Sequence, residues 1–190
     1  MSNISVMLGK CRKHILLAGA VFIGLAAGSP ALAATQGTLG ATSTGSISIS
    51  VSVPNRARIT GLTDVTLTNQ DPNSAINSAQ NICVWSNTAT KKYSITASGS
   101  GTASAFTLAN AALTAPYSVQ WSGSSGATTG TALSAGVAST SFTSTATEQS
   151  CTSGPTSSAS LIVNMSTTDL GLMQAATTYT GTLTLVITPQ

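Results

Sequence analysis

Residues 46–53 alternate without exception between hydroxyl and aliphatic side chains. Serine stands at each even position, and the odd positions hold Ile47, Ile49, Val51 and Val53. Side chains two residues apart on a β-strand point to the same face, so one face here is wholly aliphatic. Pro54 ends the strand because proline lacks the N–H that a ladder needs. The pattern predicts an amphipathic strand behind a flexible arm of Gly, Thr and Ala at residues 34–44.

The start of the chain has the layout of a secretory signal peptide, predicted at residues 1–33. Lys10, Arg12 and Lys13 precede an apolar run at residues 15–27, and the small-residue site Ala31-Leu32-Ala33 follows. This order predicts cleavage before Ala34. The apolar run is too short to span a bilayer. The chain is therefore expected to be exported.

Residues 34–190 carry four cations and four carboxylates and are expected to be formally neutral. These groups are Arg56, Arg58, Lys91, Lys92, Asp64, Asp71, Glu148 and Asp169. Only 6% of the whole chain is charged and 4% is aromatic. Such a composition excludes a nucleic-acid-binding protein and a charged coiled coil.

Two cysteines, Cys83 and Cys151, remain once the signal peptide with Cys11 is removed. Thiols pair readily in an oxidising compartment, so export predicts a disulfide between them. The alternative is two buried free cysteines.

Apolar residues recur at two-residue intervals along the rest of the chain, which predicts short strands. The predicted strands are residues 57–62, 65–68, 81–86, 93–97, 106–108, 117–122, 139–143, 161–165 and 179–188. Clusters of turn-forming residues separate them, and residues 168–176 favour a single helical turn. Their number and spacing predict an all-β sandwich.

The chemistry expected of an enzyme is sparse. The only histidine, His14, lies in the signal peptide, which excludes Ser-His-Asp catalysis and imidazole metal sites after export. A glycosidase would need two of the four carboxylates to converge. Lys91 and Lys92 are expected in a solvated turn. We therefore predict that the protein is not an enzyme and uses no cofactor or metal.

Aromatic side chains offer a different kind of binding site, since a ring can stack on a sugar. The candidates are Trp85, Trp121 and Tyr117. Trp121, however, alternates with Val119 and Tyr117 on one strand face, which favours packing in the core.

The last predicted strand places five residues on one face: Tyr179, Gly181, Leu183, Leu185 and Ile187. This strand runs almost to Gln190, so no further strand is expected after it. If the fold lacks a strand beside it, the open edge would invite aggregation unless another subunit covered it. Strand addition from a neighbour would cover it.

Three segments resemble the subunits of chaperone-usher fimbriae, most closely the colonisation-factor type. They are ISISVSVP at residues 47–54 with the run at 57–67, APYSVQW at 115–121, and TYTGTLTLVIT at 178–188. The cysteine positions differ from that type, which leaves the archaic, spore-coat-U-like pilins as an alternative lineage.

The resemblance implies an incomplete immunoglobulin-like β-sandwich at residues 55–190, completed by a donor strand from a neighbouring subunit. Residues 34–54 would be the arm and donor strand, and the final strand would lie beside the acceptor groove. The implied partners are identical or related pilin subunits, a periplasmic chaperone and an outer-membrane usher, with no nucleic acid.

The implied role is a structural subunit of a cell-surface fimbria that supports adhesion or biofilm formation. The alternative from the residues alone is a secreted monomeric β-sandwich module. It would bind a carbohydrate or protein through loops such as residues 122–130.

Overall fold

The computed structural model describes residues 33–190, so the predicted signal peptide lies outside the described residues apart from Ala33. The chain divides between Ser52 and Val53 into two compact units. In the first unit, Thr35 and Ser46 form an isolated antiparallel bridge with N–H to carbonyl distances of 2.8 and 2.9 Å. Residues 47–52 belong to no helix or strand.

Residues 53–190 form an all-β fold with almost no helix. The strands are β1 (Ala57–Thr60), β2 (Ile76–Ser86), β3 (Lys92–Gly99), β4 (Thr107–Asn110), β5 (Leu113–Pro116), β6 (Ser118–Ser122), β7 (Thr131–Ala132), β8 (Phe142–Thr143), β9 (Ala159–Met165) and β10 (Leu183–Pro189). A 3₁₀ turn covers Thr102–Ser104, and helix α1 covers Thr167–Gly171.

The strands form three antiparallel sheets. The largest has five strands in the order β1-β2-β9-β6-β7, the second has the order β10-β3-β8, and β4 pairs with β5 alone. In the first sheet, Ile82 lies opposite Ala159, and in the second, Ile187 lies opposite Ile95. The registers place aliphatic residues of neighbouring strands on the same face, as a buried face requires.

One hydrophobic core takes side chains from both larger sheets. Ile82 and Val84 enter from β2, Tyr93 and Ile95 from β3, and Trp121 from β6. The indole Nε1–H of Trp121 donates to the Tyr93 hydroxyl at 3.2 Å, which links the two sheets inside the core. This arrangement is consistent with an all-β sandwich.

The aromatic strand face predicted from residues 117–121 is confirmed as part of the core. Trp121 is fully buried, and Tyr117 and Val119 lie in the same cluster. Trp121 is therefore not available to stack on a sugar.

The predicted disulfide between Cys83 and Cys151 is confirmed, with Cα atoms 6.3 Å apart. Cys83 follows Ile82 on β2, so it points to the opposite face of the sheet from the core. There it packs with Ala146 and against Trp85 in a second, smaller cluster. The bridge thus ties the long loop before β9 to the outside of β2.

Helix α1 is one turn, as expected, and starts earlier than predicted. Ser166 caps it: the Ser166 hydroxyl accepts the Asp169 N–H at 3.1 Å, and Asp169 Oδ2 accepts the Ser166 N–H at 3.3 Å. This reciprocal pair is a capping box. Leu170 is its buried residue. Within residues 33–190, no helix is long and apolar enough to cross a membrane.

Several predicted strands need correction. The strand at residues 65–68 is wrong, because this segment pairs with no other strand. The final strand starts at Leu183 rather than at residue 179, since Thr180 pairs with Ala109 instead. β8 keeps only two residues of the strand predicted at 139–143, and β5 and β7 were not predicted.

Candidate functional site

A groove of about 1090 Å³ opens into the core of the unit formed by residues 53–190. We call its sides the first wall, residues 62–70, and the second wall, residues 173–183. The floor between them consists of core side chains: Ile76, Leu108, Tyr117, Leu161, Val163 and Met165. These residues belong to the main hydrophobic cluster or pack against it, so the groove borders the core. Four of them are buried, and Leu108 and Val163 are partly buried.

The first wall is rich in strand-forming residues but makes no ladder. Leu62, Val65 and Leu67 are 47%, 41% and 42% exposed. The backbone at residues 64–67 has no hydrogen-bond partner within residues 33–190. This absence explains why the strand predicted there does not form: the local pattern favours a strand, but no neighbour supplies the pairing.

Gln80 anchors the start of the first wall. Its Oε1 accepts the Thr63 N–H at 2.9 Å, and its Nε2 donates to the Thr63 carbonyl at 3.2 Å. Gln80 lies two residues before Ile82 on β2 and therefore on the core-facing side of that strand. Gln80 does not stand out in the sequence, because a glutamine within a polar stretch carries no pattern of its own.

The second wall is held by one hydrogen bond of its own and by bonds to β4 and to the loop at Ser100. The Tyr179 hydroxyl accepts the Gln174 N–H at 3.0 Å, and Thr180 exchanges two backbone bonds with Ala109 at 2.8 and 3.0 Å. The Thr182 N–H donates to the Ser100 hydroxyl at 3.1 Å. This wall is thus fixed in place before β10 begins.

Strand β10 has one paired edge and one open edge. It pairs with β3 along its whole length, while its other edge has no partner strand within residues 33–190. Leu183, Leu185 and Ile187 are half-buried and pack against the core, whereas the residues between them are exposed. An open backbone edge beside an aliphatic face is a template for another strand.

The predicted residues of the final strand have two different positions. Tyr179, Gly181 and Leu183 line the groove. Leu185 and Ile187 continue the same face of β10 beyond the groove lining. The five residues predicted on one strand face are thus shared between the second wall and β10.

The predicted donor strand is exposed. Ile47, Ile49, Val51 and Val53 are 73%, 80%, 87% and 74% exposed. The backbone of residues 47–53 makes no hydrogen bond to other groups within residues 33–190. Four aliphatic side chains at successive alternate positions in water are unfavourable, because each loses the free energy that burial would supply.

The electrostatics of the groove are simple. Asp64 is the one charged side chain among the lining residues of the described chain. Burial raises the pKa of the Tyr117 phenol on the floor, so this hydroxyl stays neutral well into the alkaline range. The groove is nearly uncharged, and its apolar floor lies between walls that also carry Thr, Asn and Gln side chains. Such a floor suits apolar side chains of an occupant.

The other carboxylates lie in local structures outside the groove. Asp71 Oδ1 accepts the Asn73 N–H at 2.9 Å, as expected for an aspartate in a turn, and Asp169 caps α1. Hydrogen bonds from Ser153 and Thr152 lower the pKa of the Glu148 carboxyl. These bonds order the loop around Cys151.

No family model matches the sequence, and no curated protein matches it. The interpretation of the groove and the exposed segment therefore depends on their own chemistry.

Proposed function

We propose that this protein is a structural subunit of a surface fimbria that polymerises by donor-strand exchange. In this proposal, residues 47–53 of one copy fill the groove of the next copy. The observation that carries it is the presence in one chain of an exposed segment with four alternating aliphatic residues and of a groove that borders the core.

The donor segment and β10 have the same length. Residues 47–53 would extend about 20 Å as a strand, and so does β10 with its seven residues, of which Leu183 lines the groove. Side chains of the donor would alternate with the same two-residue period as Leu183, Leu185 and Ile187 on β10. The open edge of β10 and the unbonded backbone of the first wall would both gain a partner.

The energetics favour burial of the donor segment in the groove of another copy. Burying four Ile and Val side chains stabilises by about 1.5–3 kcal/mol each before the cost of ordering the arm is subtracted. A strand buried in the groove can leave only if the sandwich opens. The junction is therefore expected to dissociate slowly, and slow dissociation rather than equilibrium affinity would maintain the filament.

The resemblance supplies the remaining partners of this proposal. A periplasmic chaperone would cover the groove before assembly, and an outer-membrane usher would be the place of exchange. Adhesion or biofilm formation at the cell surface would be the role of the assembled fimbria.

The test replaces one aliphatic residue of the donor segment with a charge. Ile49→Asp should abolish multimers, because a carboxylate cannot be buried unpaired in an apolar groove. Ser50→Asp is the matched control: it places the same charge on the opposite face of the segment and should leave multimers intact. The readout is the ladder of multimers on an unheated SDS gel of the exported protein.

Two results would contradict the proposal. Multimers that survive Ile49→Asp would show that this face is not buried in the assembly. A folded monomer in the unsubstituted protein, destabilised by Ile49→Asp, would place the segment in its own sheet and favour the secreted binding module.

A further inference from the structure

The four cationic side chains of residues 53–190 lie at one end of this unit, around the turn between β2 and β3. Arg56 is bonded to the turn, since its N–H donates to Asn87 Oδ1 at 2.6 Å. Arg58 follows two residues along β1, and Lys91 and Lys92 lie where the turn meets β3. All four are exposed. We call them the cationic end: Arg56, Arg58, Lys91 and Lys92.

Three of the four carboxylates lie around the groove, toward the opposite end of β2. That end of β2 is marked by the pairing of Ile76 with Met165. Asp71 shortly precedes Ile76 and Asp169 shortly follows Met165, and the residue after each aspartate lines the groove. Asp64 lines the first wall itself. We call these residues the groove carboxylates: Asp64, Asp71 and Asp169.

The remaining charges do not alter this division. Glu148 lies in the loop of the disulfide, where the hydroxyls of Thr152 and Ser153 donate to its carboxylate at 2.9 and 2.8 Å. The Gln190 N–H donates to the Lys92 carbonyl at 2.9 Å, so a terminal carboxylate at Gln190 would subtract one charge from the cationic end. That end would still carry an excess of positive charge.

The length of β2 keeps the two charged groups apart within one copy. Its eleven residues extend about 34 Å, several times the Debye length of about 8 Å at physiological salt. Asp64 is nearest, because the neighbouring Thr63 is bonded to Gln80, about 20 Å along β2 from Ser86. Strong attraction between the two groups is therefore possible only between copies.

The donor segment is joined directly to the cationic end. Val53 lies three residues before Arg56, a stretch of chain that spans at most about 11 Å. A donor segment in the groove of a second copy would therefore bring its own cationic end to that groove. With Val53 toward the groove carboxylates, opposite charges would meet. The reverse direction would bring cations toward the second copy's own cations.

We propose that the cationic end is a docking surface for the groove carboxylates of a second copy of this chain, and that this contact speeds entry of the donor segment. The inference rests on the proposed function, since it concerns the same donor segment and the same groove. Burial of the aliphatic face would hold the junction together, whereas opposite charges would raise the rate at which donor and groove meet.

The test measures how fast the folded full-length protein captures a fluorescent peptide, since the last copy of each multimer would keep an open groove. One peptide has residues 46–58 and so includes Arg56 and Arg58. The control peptide has the same length, with Arg56→Gln and Arg58→Gln. The arginine peptide should be captured about tenfold faster at about 20 mM than at about 500 mM NaCl, and the control at equal rates.

Variants of the full-length protein locate the attracting charge. Asp64→Asn combined with Asp71→Asn should remove most of the advantage of the arginine peptide at low salt. Asparagine at residue 71 keeps a side-chain oxygen for the Asn73 N–H, so the turn there should persist. Glu148→Gln is the matched control, because it removes a carboxylate away from the groove and should keep the advantage.

The outcomes separate the inference from the function. Equal capture of both peptides at both salt concentrations would overturn the inference and leave the proposed function in place. Slower capture of the arginine peptide at low salt, or an advantage that survives loss of the two aspartates, would overturn it as well. If neither peptide is captured, the proposed function fails, and this inference fails with it.

Discussion

The hydrogen bond between Trp121 and Tyr93 shows how one residue pair fixes the interior of this fold. Both side chains are fully buried, and each hydrogen-bonding group would be costly there without a partner. Burial raises the pKa of the Tyr93 phenol, and the bond from the Trp121 Nε1–H opposes this rise only in part. The folded protein thus keeps Tyr93 neutral where an unfolded chain would ionise it.

Stability should consequently fall at alkaline pH. An unfolded tyrosine ionises near pH 10. The contribution of neutral Tyr93 is complete below that pH and is lost as pH rises through the raised folded pKa. Urea unfolding measured from neutral pH to about pH 11 should show this loss in the unsubstituted protein, with a smaller loss in Tyr93→Phe.

Tyr117→Phe is the control for the loss of the Trp121–Tyr93 hydrogen bond at neutral pH. At neutral pH, Tyr93→Phe should cost about 1–3 kcal/mol because it leaves the Trp121 Nε1–H unpaired. The Tyr117 hydroxyl has no hydrogen-bond partner within the described chain, so Tyr117→Phe should cost less. Equal costs for the two variants, or an unchanged alkaline loss in Tyr93→Phe, would contradict the role given to this pair.

Among the elements, the loop before β9 depends on the disulfide. Cys83 and Cys151 are separated by 68 positions, and closing a loop of that length stabilises by about 4 kcal/mol on the chain-entropy account. The bridge lies outside the main core, so the sheets do not need it for packing. Replacing both cysteines with alanine should lower the free energy of unfolding by about that amount and keep the β-sheet circular dichroism spectrum.

An unchanged urea midpoint in the double variant would contradict this expectation. Asn77→Ala, on the same strand but distant from the bridge, is the control for general damage to β2.

Most of the paired strands could be predicted from the sequence. Alternation of apolar and polar residues indicates that one face of a segment is buried, as it is in most of the paired strands. Prediction from the sequence failed where a segment has the strand pattern without a pairing partner, or a partner without a clear pattern. Residues 65–68 have the pattern without a partner, whereas β5 has a partner and only a weak pattern. The residues alone predicted only an open edge beside the final strand, and the resemblance implied an acceptor groove there. Its first wall and Gln80 arise from chain segments that meet only in the folded protein.

At the scale of the whole molecule, the proposed function depends on a missing strand rather than on reactive groups. The groove borders the core, and residues 47–53 carry an exposed aliphatic face that would fill the groove of another copy in the proposed assembly. Four cations balance four carboxylates in residues 34–190, so long-range repulsion between copies would be small. Such copies can approach closely at any ordinary salt concentration.

The most direct test of the central claim is an SDS gel of the exported protein, with unheated and boiled samples side by side, and with a matched variant that lacks residues 34–53. We predict a ladder of multimers that collapses only on boiling, because each junction can open only when the sandwich does. The variant should give no ladder. A single monomer band in both proteins, from samples shown to be folded and disulfide-bonded, would contradict strand exchange between copies.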